Sequence, residues 1–254
     1  MILDTFRLDG RVAVVTGSSR GLGQGAALAL AEAGADLVLI DRGDASHTAE
    51  LARGLGRRVH TVRRDFATAT PAELASAIDE AADALGRIDI LVNNAGTIRR
   101  APAAEHATAD WDEVMAVNVD AVFHLSQVAG RRMIAQGWGR IVNVASMLSF
   151  QGGILVPGYA ASKHAVAGLT KALANEWAAS GVTVNAIAPG YMATDNTAPI
   201  RADADREASI LARIPAARWG TPADLQGAFV FLASDAAAYV TGAVIPVDGG
   251  WLVR

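Results

Sequence analysis

Tyr159 and Lys163 stand four residues apart in the stretch Tyr159-Ala160-Ala161-Ser162-Lys163, so in a helix a phenol and an ammonium share one face. Free tyrosine titrates near pH ~10, and a cation supplying about 3 to 4 kcal/mol would make a phenolate accessible near neutrality. A pair of this kind can act as an acid-base catalyst. Tyr-x-x-x-Lys is also an ordinary helical spacing, so the chemistry depends on what surrounds it.

A second group lies near the start. Gly17, Gly21 and Gly23, within Thr16-Gly17-Ser18-Ser19-Arg20-Gly21-Leu22-Gly23, follow the apolar run Val12–Val15 and precede a helix-like stretch from Gln24 to Ala33 closed by Gly34. Strand, glycine turn and helix open a βαβ unit, in which backbone N–H groups and a helix N-terminus cradle a pyrophosphate. Asp41 ends the next apolar run, where an acid accepts hydrogen bonds from adenosine ribose hydroxyls and repels a 2′-phosphate. The expected cofactor is therefore NAD, with Arg20 and Arg42 leaving NADP open. Asp65 and Phe66 follow a third apolar run, where they bound an adenine or simply end a strand. Asn93-Asn94-Ala95-Gly96 closes a fourth, at the strand end where ligands collect in open α/β sheets.

The elements that would hold these groups alternate down the chain. Apolar runs at 12–15, 36–40, 58–62, 88–92, 140–145, 182–188 and 243–247 are separated by helical patterns near 45–55, 71–85, 111–136, 159–180 and 222–233. The fold class expected is α/β: a single-domain, Rossmann-type, doubly wound parallel sheet of about seven strands with helices on both faces. No linker divides residues 1–254. The segment Tyr191 to Trp219, with Pro199 and Pro215, is longer than a usual connection and is expected to form a lid.

Composition narrows the function further. With 22 Lys plus Arg against 26 Asp plus Glu, the net charge of -4 disfavours nucleic acid as a partner. The absence of cysteine removes disulfides, thiolate metal sites and a cysteine nucleophile. His47, His60, His106, His124 and His164 show no ligand spacing, so no metal is expected. Met1 to Arg7 lacks the apolar core of a signal peptide, and the uncharged stretch from Ile141 to Ser162 is broken by polar residues, proline and glycine. A cytoplasmic chain with no membrane association is expected.

Taken in order, Thr-Gly-x-x-x-Gly-x-Gly at 16–23, Asn-Asn-Ala-Gly at 93–96, Asn118, Ser146, Tyr159-x-x-x-Lys163 and Pro189-Gly190 resemble the short-chain dehydrogenase/reductase family, over the whole chain. The resemblance implies that Tyr159 is the general acid or base, and that Lys163 lowers its pKa and holds the nicotinamide ribose. It further implies that Ser146 orients the reacting oxygen and Asn118 holds a relay water. Cofactor contacts are implied for Gly17, Ser19, Arg20, Gly21, Leu22, Gly23, Asn93, Ala95, Gly96, Pro189, Gly190, Met192 and Thr194. A homotetramer built on helices 111–136 and 159–180 is implied as well.

Within that family, Ile98-Arg99-Arg100, Ala145 to Gly153, Ala188 to Thr194 and Val247 to Trp251 resemble the sugar-acid dehydrogenases acting on 2-deoxy-D-gluconate or 2-dehydro-3-deoxy-D-gluconate. A sugar acid needs a cation for its carboxylate. Arg99 or Arg100 would supply it, with Gln151 offering hydrogen bonds and Trp219 an apolar wall. Ser18-Ser19-Arg20 resembles instead the loop of NADP-dependent 3-oxoacyl carrier-protein reductases. A reductase for another carbonyl, and a dinucleotide-binding regulatory protein without turnover, therefore stand as alternatives.

Overall fold

The first apolar run forms β1 (Val12–Thr16), buried along its whole length, in a computed structural model that describes the backbone of residues 1–254 and every side chain other than that of Asn196. It is followed by β2 (Asp36–Asp41), β3 (Val59–Arg63), β4 (Ile90–Asn93), β5 (Gly139–Val144), β6 (Val182–Pro189) and β7 (Val244–Val247). All pair in parallel in one seven-stranded sheet of order β3-β2-β1-β4-β5-β6-β7. The strand order reverses between β1 and β4, and the crevice beyond their carboxyl ends is where such sheets bind ligands.

The helices are α1 (Gly21–Glu32), α2 (Ser46–Gly54), α3 (Pro71–Leu85), α4 (Thr108–Met115), α5 (Ala121–Gln136), α6 (Pro157–Trp177), α7 (Ala198–Arg201), α8 (Ala204–Leu211) and α9 (Pro222–Ala233). Because successive strand residues face opposite sides, Ala13 and Val15 pack with Leu30 of α1 and Phe229 of α9. Val12 and Val14 pack with Ile78 of α3, Leu125 of α5 and Leu173 of α6. Burial on both faces explains why the central strands read as continuous apolar runs.

Two helices depart from the sequence expectation. α1 begins at Gly21 instead of Gln24, so the second half of the glycine loop is already the first helical turn. The expected helix over 111–136 is two helices joined by a π-helical turn, Ala116–Asp120, which contains Asn118. Single-turn widenings of this kind re-aim side chains and main-chain groups, and they cluster at functional positions.

The excursion after β6 leaves and returns at one point. Tyr191 and Met192 pair with Gly220, with Gly220 N donating to Tyr191 O at 2.9 Å and Ala193 N to Gly220 O at 2.7 Å. Between these ends lie α7 and α8, anchored by Ile210 and Ile214 against Met147 and Trp251. Among the described residues, no helix is long and apolar enough to cross a membrane.

Candidate active site

Every element carrying an expected site residue delivers it to the carboxyl end of the sheet. At β1 the chain turns sharply at Gly17 (φ +63°), where a Cβ would sit 2.9 Å from the Ala95 Cα. Gly23 is closer still: its Cβ would stand 2.0 Å from the Gly17 carbonyl oxygen, so only glycine lets α1 fold back onto the turn. Gly21 (φ +58°) is the opposite case, since a Cβ there would meet nothing nearer than the Thr194 methyl at 3.9 Å. Loop and facing Thr194 thus border an open cradle at the N-terminus of α1.

Neighbouring side chains pin this loop. Asn94 Nδ2 donates to the Thr16 and Gly17 carbonyls at 3.0 Å each, while Thr16 Oγ1 accepts from the Asn94 and Ala95 amides. The buried Thr48 hydroxyl of α2 donates to Ser18 O at 2.9 Å. Asp41, 9% exposed at the end of β2, accepts from Ser19 N at 2.9 Å and Gly43 N at 2.8 Å. Each carboxylate oxygen keeps acceptor capacity for a ribose hydroxyl. Next to it, Arg42, Arg63, Arg64, Asp65, Thr68, Ala69 and Glu73 line a cavity of about 280 Å³. Phe66 is buried just below. Across the cleft, Arg20 of the glycine loop pairs with Asp195 at 2.8 Å. Pro189 ends β6, and Gly190 packs so closely on Asp248 that a Cβ would stand 2.6 Å from its Cα.

The catalytic candidates converge between β5 and α6. Ser146 follows β5 and caps the short turn Met147–Ser149, its hydroxyl accepting from Leu148 N at 3.1 Å and hydrogen-bonding to Tyr159. Pro157 in the first turn of α6 fixes the helix start, which aims Tyr159 back at Ser146. Lys163, one turn on, is 4% exposed, and its Nζ donates to Val144 O at 2.7 Å and lies 5.5 Å from the Tyr159 ring centroid. Burial pushes its pKa down to about 8, so the ammonium predominates at neutral pH. The Tyr159 phenol is pushed above its ordinary value by burial, against the pull of the Ser146 hydrogen bond and the Arg100 charge. Burial outweighs both of these influences.

Asn118 Oδ1 accepts from Thr97 N at 2.8 Å, and its Nδ2 donates to Thr97 O and Ser162 Oγ at 3.0 Å each. Both amide hydrogens are therefore used within the protein, and only oxygen lone pairs remain for a further partner.

The other expected residues differ in their surroundings. Asn93 does not turn its side chain toward the crevice; it is 3% exposed and ties β4 to Ser126 and Asn143, at 2.9 and 2.8 Å. Arg99 is committed to Glu113, with Nη2 at 2.6 Å from Oε1, and lies 3.6 Å from Asp110. Arg100 is the arginine whose charge reaches Tyr159. Trp219 belongs to an aromatic cluster, edge-on to Tyr191 at 5.4 Å, and Trp251 packs on the same tyrosine at 4.8 Å. Gln151 is half-buried just beyond the Ser146 turn. Asn94, Thr48 and Val144 went unnoticed in sequence, because their contribution lies in contacts across the fold. Only Asn94 carried a signal, as the neighbour of Asn93 in the same motif.

Similarity to known proteins agrees with this arrangement. The family model described as enoyl-(acyl carrier protein) reductase matches residues 17–252. The chain is 55% identical to 2-dehydro-3-deoxy-D-gluconate 5-dehydrogenase of Escherichia coli (strain K12), with all of both chains covered. It belongs to the short-chain dehydrogenase/reductase family. Two solved structures of that family superimpose closely. A provisionally named 2-deoxy-D-gluconate 3-dehydrogenase from Agrobacterium tumefaciens, with bound NADP, is 52% identical over 98% of this chain and 99% of its own, with a TM-score of 0.92. A gluconate 5-dehydrogenase from Burkholderia cenocepacia J2315, in complex with NADP and tartrate, is 42% identical over all of both chains, with a TM-score of 0.95.

The protein is accordingly an NAD(P)-dependent oxidoreductase acting on a CH–OH group. Its own residues fit such a cofactor: the cradle at Gly21 is open, and Asp41 retains acceptors toward it. Among the described residues, no group of three or more histidines and acids is arranged to hold a metal ion.

Proposed function

We propose that this chain interconverts a secondary alcohol and a ketone on a hexonate-type sugar acid, of the 2-dehydro-3-deoxy-D-gluconate or 2-deoxy-D-gluconate class. The observation that carries this reading is the full-length identity of 55% to an enzyme of the first name. The electrostatics support it, because the Arg100 charge that favours the Tyr159 phenolate would also attract an anionic substrate.

In the direction of oxidation, the Tyr159 phenolate takes the hydroxyl proton while Ser146 hydrogen-bonds the same oxygen and holds it as negative charge develops. The nicotinamide ring, when bound, accepts the hydride that the protein's side chains cannot. Lys163 supplies a cation about 5.5 Å from the Tyr159 ring. A cation at this range favours the phenolate by Coulomb attraction. Asn118 holds the relay water through which the proton leaves. Lys163 would also hold the nicotinamide ribose, and Gly17 to Gly23 with Pro189 to Thr194 would enclose the cofactor. Residues 1–254 act as one dinucleotide-binding unit, with 191–219 as its lid.

NAD is the preferred cofactor because Asp41 faces the ribose position. NADP is admitted by Arg42, Arg63 and Arg64, which line the neighbouring cavity and would take a 2′-phosphate. The enzyme is inferred to be cytoplasmic and homotetrameric through α4, α5 and α6.

The substrate class is tested at Arg100. Arg100→Ala raises KM for the sugar acid by about 10- to 100-fold, the value of a charge-assisted hydrogen bond of about 1.5–3 kcal/mol, with far less effect on the matching neutral polyol. Equal effects on acid and polyol, in steady-state assays of both, would contradict a carboxylate-binding role.

A further inference from the structure

We infer that Ser162, whose hydroxyl is bonded only within the protein, is a positioning residue that sets the angle at which Tyr159 meets its reaction partner. The inference rests on the proposed roles of Tyr159 and Asn118. Ser162 is completely buried, and both of its contacts reach the catalytic candidates. Its hydroxyl donates to the Tyr159 main-chain carbonyl at 2.8 Å and accepts from Asn118 Nδ2 at 3.0 Å. Asn118 is itself locked, since Thr97 takes its other amide hydrogen at 3.0 Å and donates to its Oδ1 at 2.8 Å.

A directional chain of hydrogen bonds thus runs from Thr97 through Asn118 and Ser162 to Tyr159. It joins three segments that are distant in sequence: the loop after β4, the π-helical turn between α4 and α5, and the first turns of α6. Ser162 has one proton to donate, and it is spent on Tyr159; both Asn118 amide protons are spent as well. The chain cannot reverse or slip without leaving a buried polar group unpaired. A hydroxyl bonded back to the preceding turn also bends a helix slightly, and here the bend falls on the turn that aims the phenol. On the other side of α6, Ser149 Oγ donates to Lys163 O at 2.6 Å, so the turn carrying Tyr159 and Lys163 is braced from two directions. Displacement of a reacting group by about 1 Å can cost about 100-fold in rate, which gives such bracing kinetic weight.

The experiment compares wild type, Ser162→Ala, Asn118→Ala and the double variant, with Tyr159→Phe as the reference for the site itself. Ser162→Ala is expected to lower kcat by about tenfold or more, shift the Tyr159 limb of the pH–rate profile, and leave the cofactor KM within about twofold. Because the two residues act as one unit, the double variant should be about as impaired as the worse single variant. If Tyr159→Phe is inactive while Ser162→Ala keeps kcat and pH profile within about twofold of wild type, or if the single losses multiply, the inference is overturned. An active Tyr159→Phe would instead overturn the underlying reading of the site. Should the alanine variant fail to fold, Ser162→Cys keeps the volume with a much weaker donor. It is expected to lose kcat in the same direction, and wild-type kcat with an unshifted pH profile would equally overturn the inference.

Discussion

Lys163 combines a functional position with a cost to stability. Its ammonium is buried and bonded to a single carbonyl, and its pKa falls from an ordinary 10.5 to about 8. A lysine whose folded pKa is depressed binds fewer protons in the native state than in the unfolded one across that interval. The penalty is therefore fully present below pH 8 and is relieved as pH rises toward 10.5. The interval corresponds to about 3 kcal/mol, from which the lost Val144 hydrogen bond must be subtracted. Lys163→Met is thus predicted to raise the thermal midpoint at pH 7 while abolishing turnover, with the gain shrinking above pH 8. Thermal denaturation across that range checks it; a gain independent of pH would show that packing, not charge burial, is responsible. Arg99 and Arg100 show the limit of reading single residues, since the two are indistinguishable in sequence. Only the fold, by placing Glu113 of α4 against Arg99, shows that Arg99 is paired there while the Arg100 charge acts on the Tyr159 phenol.

At the scale of elements, the site is an agreement between strand ends and the loops that follow them. The excursion after β6 closes on the glycine loop through Arg20 and Asp195, both more than 70% exposed. An exposed pair is worth up to about 1 kcal/mol, so Asp195→Ala should raise the cofactor dissociation constant by about two- to fivefold and weaken its dependence on salt. Fluorescence titration at low and high ionic strength measures this, and an unchanged constant would mean that the pair does not clasp the cleft. The strands, the crevice and the order of the motifs were legible in sequence, because apolar runs and glycine spacing are local patterns. The π-helical turn at Asn118 was not, since Ala116 to Asp120 reads as ordinary helix and the widening depends on bonds to Thr97 and Ser162 from elsewhere. Asn93 shows a related limit. A strand-end asparagine can face either the crevice or the core, and pairing with Asn143 in the next strand decided for the core.

Across the whole molecule, the two ends of the sheet have different tasks. The carboxyl ends carry Asp41, Asn94, Ser146 and the Tyr159–Lys163 helix; the amino ends carry a charged clamp. There Arg11 and Arg140 stack on Trp138, at 3.6 and 4.2 Å from its ring centroid, and Arg140 pairs with Asp235 at 2.9 Å. Asp89, fully buried, accepts from Val12 N and from Arg11 and Arg87. Its removal leaves a buried amide and two guanidinium groups without their partner. Asp89→Ala should therefore destabilise the fold by about 1–3 kcal/mol, read by denaturant unfolding, while the cofactor KM stays within about twofold. A collapse of cofactor binding with stability intact would contradict this division.

At the carboxyl ends, the Tyr159 hydroxyl is the proposed acid-base centre. The most direct test is turnover of 2-dehydro-3-deoxy-D-gluconate and 2-deoxy-D-gluconate with NAD and NADP, followed by nicotinamide absorbance for the wild type and for Tyr159→Phe. The wild type is predicted to oxidise at least one of these sugar acids, and Tyr159→Phe to lose about 10²- to 10⁴-fold in kcat while cofactor binding is retained. Turnover by Tyr159→Phe within about tenfold of the wild type would contradict the account.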